Sequence, residues 1–225
     1  MDHLAGRTIL GFGQLFVVLA LALFGPAWTL SFWQAWVYLF VFAACTFPIA
    51  AYLWKSDRKL LERRVNAGPQ AEKERLQVIL QIALSFTFLA FFVVASLDHR
   101  FSWSRVPPAL ELLGDALVAS GFLAVFFVLK ENSFAAGAIE VAPDQRVIST
   151  GPYAIVRHPM YAGALIMLFG TPLALGSFWS FVPFVLTIGV LVARLLDEET
   201  FLAKNLPGYD DYRREVRRRL VPLVW

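Results

Sequence analysis

Six apolar stretches alternate with polar ones along the chain, at residues 8–28, 32–54, 76–97, 109–129, 159–175 and 178–196. A helix needs roughly 20 apolar residues to cross the hydrocarbon core of a bilayer. The pattern therefore predicts an all-α, polytopic transmembrane helical protein of about six spans, or five if the first stretch does not cross. That first stretch has the apolar run of a signal peptide, but little basic character precedes it and no small-x-small cleavage site follows, so it is expected to stay as a helix. Pro48 falls inside the second stretch and predicts a kink. Only Gly176 and Ser177 separate the last two stretches, which predicts a tight hairpin. Trp28, Trp33, Trp36 and Trp54 fall near span ends, where amphipathic rings favour the headgroup layer.

The polar segments orient these spans. The loop 55–75 carries Lys55, Arg58, Lys59, Arg63, Arg64, Lys73 and Arg75, and the tail 197–225 carries Arg213, Arg214, Arg217, Arg218 and Arg219. The loop 98–108 has only Arg100 and Arg105. By the preference for basic loops inside, six spans put both basic clusters, both ends of the chain and the 130–157 segment on the cytoplasmic side. The organisation expected is residues 1–108 as N-terminal transmembrane helices with a cytosolic basic loop, then 109–225 as a core with a polar segment at 133–163 and a basic tail at 204–225.

Composition changes this picture little. Of 225 residues, 58% are hydrophobic and 16% charged, against about a quarter charged in soluble proteins. The formal charge of +3 is too small to point to nucleic acid. A single cysteine, Cys45, excludes an internal disulfide and a cysteine-rich metal site, and its place within a span reads as packing. Glu111 and Asp115 lie four apart on one helix face near the outer boundary, where a bundle-facing structural role is expected ahead of a proton path.

The candidate chemistry lies in two pieces. In the segment 145–163, Ser149-Thr150-Gly151-Pro152 is a turn signal, and His158-Pro159 suits a helix start with proline at the first helical position. Unpaired N–H groups at such a start can hold a polar ligand group, and Tyr153 and Tyr161 offer aromatic faces able to meet a cation. Forty residues on, Arg194 and Glu198 are four apart on one helix face, while Glu199 points about 100° further round. A snorkelling arginine and a solvated helix end would explain that second piece without any ligand. No GxxxxGK[ST], GxGxxG or HExxH string is present, so nucleotide-cradling and zincin chemistry lack support.

Ser149-Thr150-Gly151-Pro152-Tyr153, Arg157-His158-Pro159-Met160-Tyr161-Ala162-Gly163, Arg194 with Glu198-Glu199, and Tyr209 and Tyr212 before a basic tail together resemble the C-terminal core of the isoprenylcysteine carboxyl methyltransferases. Phospholipid N-methyltransferases share much of that core. The likeness runs from about Ser133 to the end; the first hundred residues share only their transmembrane character. It implies an integral-membrane enzyme that uses S-adenosylmethionine without a Rossmann domain, with a lipophilic or lipid-linked acceptor supplied by the membrane. Carried over by position, Gln145, Val147, Ile148 and Tyr153 would line the cofactor pocket, His158, Pro159, Met160 and Tyr161 would border it, and Glu198 would bind the cofactor's polar end. Arg194 would meet an acidic group of the substrate. The family's upstream polar contact falls at Ala138, or at Glu140 across a short gap. No metal is implied, and neither the acceptor nor the oligomeric state is.

Two other readings use the same residues. Membrane sterol and steroid reductases, which use NADPH, carry a related string that continues as RHPNYxGE; here Met160 replaces the asparagine and Ala164 the glutamate, which favours the methyltransferase. A transporter or accessory protein would instead use Glu111 and Asp115 along a path, and the arginine-rich tail alone could serve as a membrane-hugging scaffold.

Overall fold

The computed structural model describes residues 3–72, 74–222 and 225, so Lys73 of the basic loop lies outside the described residues. It contains eight α-helices among those residues: α1 (His3–Ala27), α2 (Trp33–Ser56), α3 (Arg58–Val65), α4 (Arg75–Phe101), α5 (Pro108–Glu131), α6 (Pro159–Ala174), α7 (Phe181–Asn205) and α8 (Tyr209–Glu215). Helices α1, α2, α4 and α5 are long and apolar enough to cross a membrane. Helix α6 is apolar but, at 16 residues, spans about 24 Å, short of the ~30 Å hydrocarbon core. Helix α7 is long enough, but it continues through Arg194, Asp197, Glu198 and Glu199 without a break. The chain is thus a polytopic helical bundle, apolar on its outer face at residues such as Leu21, Phe40, Phe86 and Val185.

Local sequence sets the helix ends. Asp57 caps α3 by accepting from the Leu60 N–H at 2.9 Å. Pro108 and Pro159 open α5 and α6 at positions where the missing N–H costs nothing. Gly151, at φ 57°, makes the left-handed turn expected before Pro152. Trp28, Trp33 and Trp36 are exposed at the α1–α2 connection, and Trp54 lies under the Arg58 guanidinium at 4.3 Å.

The connection between α6 and α7 is short, but their tightest packing is with other helices. Gly114 and Gly121 on α5 face Gly170 and Gly163 on α6, each pair seven residues apart. A Cβ on Gly121 would stand 2.6 Å from the Met167 nitrogen, and one on Gly170 would stand 2.6 Å from the Gly114 carbonyl oxygen. Lipid supplies no hydrophobic drive between spans, so close backbone approach at small residues is what holds such pairs. Helix α7 instead meets α4, where the Ser180 hydroxyl donates to the Phe91 carbonyl at 3.1 Å and Gln77 reaches Asp197 and Arg194. Tyr38, Phe91, Phe92, Leu19, Leu23 and Val118 fill the centre of the bundle.

All the basic segments gather at one end. Arg7 of α1 donates to Asn66, Arg63 to the Ser133 carbonyl and Arg64 to the Ala136 carbonyl. The segment 132–158, the 57–72 loop, the end of α7 and the tail therefore share that end. At the opposite end, Glu111 accepts from Gln34 at 2.9 Å and Asp98 gathers Ser104 and Ser177. Glu111 and Asp115 are buried within the bundle.

Candidate functional site

Arg194 lies near the end of α7, buried and fully committed on two sides. Its Nη1 donates to Gln77 Oε1 at 2.7 Å and its Nη2 to Glu72 Oε1 at 2.5 Å, with the Gly137 carbonyl at 3.5 Å. Glu72 also accepts from the Ile139 N–H at 3.1 Å. No spacing in the sequence pairs Arg194 with Glu72, which lies 122 residues away. The same contacts lay residues 137–139, where the upstream cofactor contact was expected, directly over the arginine.

One turn further along α7 the two acids part. Glu198 is half-buried and accepts from the Tyr161 hydroxyl at 2.6 Å through Oε2. Its Oε1 has no hydrogen-bond partner among the described residues. Glu199 is buried and accepts from Arg157 Nε at 2.7 Å, Arg219 Nε at 3.0 Å and the His158 ring at 3.2 Å. Burial alone would push the Glu199 carboxyl up, but the hydrogen bonds from His158, Arg157 and Arg219 hold it well below the usual range. The tail is strapped across this point: the Arg157 and His158 N–H groups donate to the Arg218 and Arg219 carbonyls at 2.9 Å.

Tyr153 stands beside these groups on the turn 151–154. Its hydroxyl accepts from Asn132 at 2.8 Å, its carbonyl accepts from the Tyr212 hydroxyl at 2.8 Å, and burial pushes its phenol up to about 12. Val147 packs with it against Leu206, Tyr209 and Tyr212. Tyr209 is the functional candidate that the sequence marked only as part of a likeness. Its hydroxyl is buried without a partner among the described residues, in the field of Glu199 and Glu198. An orphaned buried hydroxyl costs free energy unless a ligand meets it, and no spacing rule could have revealed that.

His158, Tyr161, Arg194 and Glu198 are thus brought to one place, the His158 and Tyr161 rings 5.7 Å apart, and Tyr153 and Val147 lie against the neighbouring tyrosine cluster. The remaining expected residues have other surroundings. Met160 packs among Leu53, Leu60, Leu61 and Leu129, and Pro159 is a buried helix start. Gln145 closes a turn by accepting from the Ala142 N–H at 3.0 Å. Ile148 and Glu140 are half-buried, and among the described residues no hydrogen bond joins Glu140 to Glu198 or His158.

Residues 110–207 match the model of the phospholipid methyltransferase family. A stretch of 83 residues is 36% identical to the protein-S-isoprenylcysteine O-methyltransferase of Schizosaccharomyces pombe, covering 36% of this chain and 35% of that protein. The chain therefore spans about a third of the length of that relative. The matched residues include His158, Tyr161, Arg194 and Glu198, so the likeness to the phospholipid methyltransferase family falls on the residues that the fold gathers at this site.

Proposed function

We propose that the chain is an integral-membrane methyltransferase that takes S-adenosylmethionine from the cytosol and a lipophilic or lipid-linked acceptor from the bilayer. The observation that carries this reading is the 2.6 Å hydrogen bond from Tyr161 to Glu198, which joins the start of α6 to the end of α7 around a carboxylate with a spare oxygen. The match over residues 110–207 supports a division of the chain near residue 108, and it favours methyl transfer over the NADPH-dependent reductase reading.

The residues suit such a cofactor. Glu198 Oε1 and the Tyr209 hydroxyl offer an acceptor and a donor that no described residue engages, and the His158, Tyr161 and Tyr153 rings can flank a cation. When bound, S-adenosylmethionine supplies an electrophilic methyl group on a sulfonium. Glu198 and Tyr209 would hold its polar end, and the tail strap with the 137–148 segment would shield the site from bulk water. Shielding and alignment accelerate the union of a cation with an anionic or lone-pair acceptor. The gathering of the basic segments at one end, with few basic residues at the other, supports a cytosolic opening.

Arg194 is assigned to an acidic group of the acceptor. Glu72 holds that guanidinium, so an acceptor carboxylate or phosphate would share or replace it. Glu72→Gln should then lower the KM for an acidic acceptor about fivefold with cofactor affinity unchanged; an unaltered KM would remove Arg194 from this role. The reading as a whole is tested by incubating the purified protein with methyl-labelled S-adenosylmethionine and a membrane lipid extract. A labelled lipophilic product, lost with Tyr161→Phe/Glu198→Gln, is expected. Binding of NADPH with no binding of S-adenosylmethionine would overturn it.

A further inference from the structure

A cavity of about 480 Å³ opens on the far side of α7 from Glu198, between the helix end and the tail. Successive residues of a helix point about 100° apart, so Glu199 forms its wall while Glu198 faces Tyr161. Arg157, Arg213, Arg217 and Arg219 line it with Glu199, four cations against one carboxylate. That carboxylate is already shared by Arg157 and Arg219. Arg213 has only Asp210, at 3.7 Å, beyond hydrogen-bonding distance, and Arg217 has no partner among the described residues. The cavity thus presents unused guanidinium N–H groups at several points of one concave wall. A basic stretch that was merely solvated would spread its charges apart.

The chemistry that matches converging guanidinium groups is an anion with several acceptor oxygens, a phosphate above all. Leu196, 41% exposed, lines the same cavity one turn deeper along α7, on the side of its apolar half. A free phosphate has no use for that surface, whereas the chain of an amphiphile does. We infer that this cavity binds a phosphate group carried on an anionic membrane lipid, at a place separate from the methyltransferase site. The inference stands on the cavity alone and does not depend on the activity.

The full chain in detergent, offered equal amounts of phosphatidylglycerol and phosphatidylcholine, would be read by native mass spectrometry. A preference for phosphatidylglycerol is expected, falling about fivefold in Arg217→Gln and further in Arg213→Gln/Arg217→Gln. Lys55→Gln/Lys59→Gln, which removes the same charge from the other basic segment, should leave the preference within about twofold. Equal losses in both double variants would show charge adhesion without a pocket and overturn the proposal. Inorganic phosphate is the second arm. Displacement of bound phosphatidylglycerol by phosphate supports recognition of the phosphate group, while phosphate binding without any lipid preference overturns the lipid source. A wild-type chain that prefers neither overturns the site altogether. Arg217 has no protein partner to lose, and melting of each variant, expected unchanged, excludes misfolding as the cause of a lost preference.

Discussion

The two ends of the bundle use acids in opposite ways. At the end bearing Asp98 and Glu111, carboxylates meet hydroxyls, amides and backbone: Asp98 accepts from the Ser104 N–H at 2.7 Å and from Ser177 at 2.5 Å, and Glu111 from Gln34 at 2.9 Å. No arginine answers them among the described residues. At the other end every buried acid is matched by arginine, Glu72 by Arg194 and Glu199 by Arg157 and Arg219. The first arrangement ties the end of α4 to the α6–α7 connection. The second holds fixed charges beside a half-buried carboxylate and an unused hydroxyl, and only an arrangement of that kind can receive a charged ligand. A buried carboxylate therefore does not by itself mark a functional site; its partners decide.

The sharpest way to break this contrast is at Glu199. Glu199→Gln strands the buried Arg157 and the half-buried Arg219 and should cost about 3 kcal/mol, read as a lower melting temperature of the solubilised protein. Because the folded carboxyl is held below its unfolded value, its contribution is complete at neutral pH and fades as the pH falls into and below the glutamate range. Wild-type melting should therefore decline more steeply on acidification than that of Glu199→Gln. Parallel declines would show that the carboxylate contributes little.

Glu198→Gln comes next. It should leave melting nearly unchanged but reduce kcat/KM about 100-fold by weakening cofactor binding, measured by titration calorimetry. At the opposite end, Asp98→Ala should cost about 2 kcal/mol in stability while methyl transfer by the folded protein persists. Glu111→Gln and Asp115→Asn should have the smallest effects, within about 1 kcal/mol and without loss of activity. Should Asp115→Asn abolish turnover with the fold intact, the opposite end would be functional and the comparison would fail.

How much was legible beforehand differs between these two ends. The helices, their breaks at Gly151, Pro108 and Pro159, and the pairing of Arg194 with Glu198 on one face follow from local periodicity and turn chemistry. So does the bundle-facing position of Glu111 and Asp115. The Glu72–Arg194 pair and the Arg219–Glu199 contact were not legible, because nothing in spacing says which loop folds over which helix end. The segment 137–148 was similarly opaque. It has no periodicity, and its contacts are made by backbone groups such as the Ile139 N–H and the Gly137 carbonyl.

By itself the sequence determined that the chain is helical and membrane-embedded, since runs of apolar residues long enough to cross a bilayer have few other stable solutions. It also determined which residues could carry charge chemistry. Only the tertiary structure decided that, among the described residues, Glu198 keeps an oxygen free while its neighbour Glu199 is consumed by arginines, and the Tyr209 hydroxyl is buried without a partner. The physical reason is that helical propensity and hydropathy act over a few residues. The worth of a buried polar group is set instead by whatever atoms distant parts of the chain bring within about 3 Å of it.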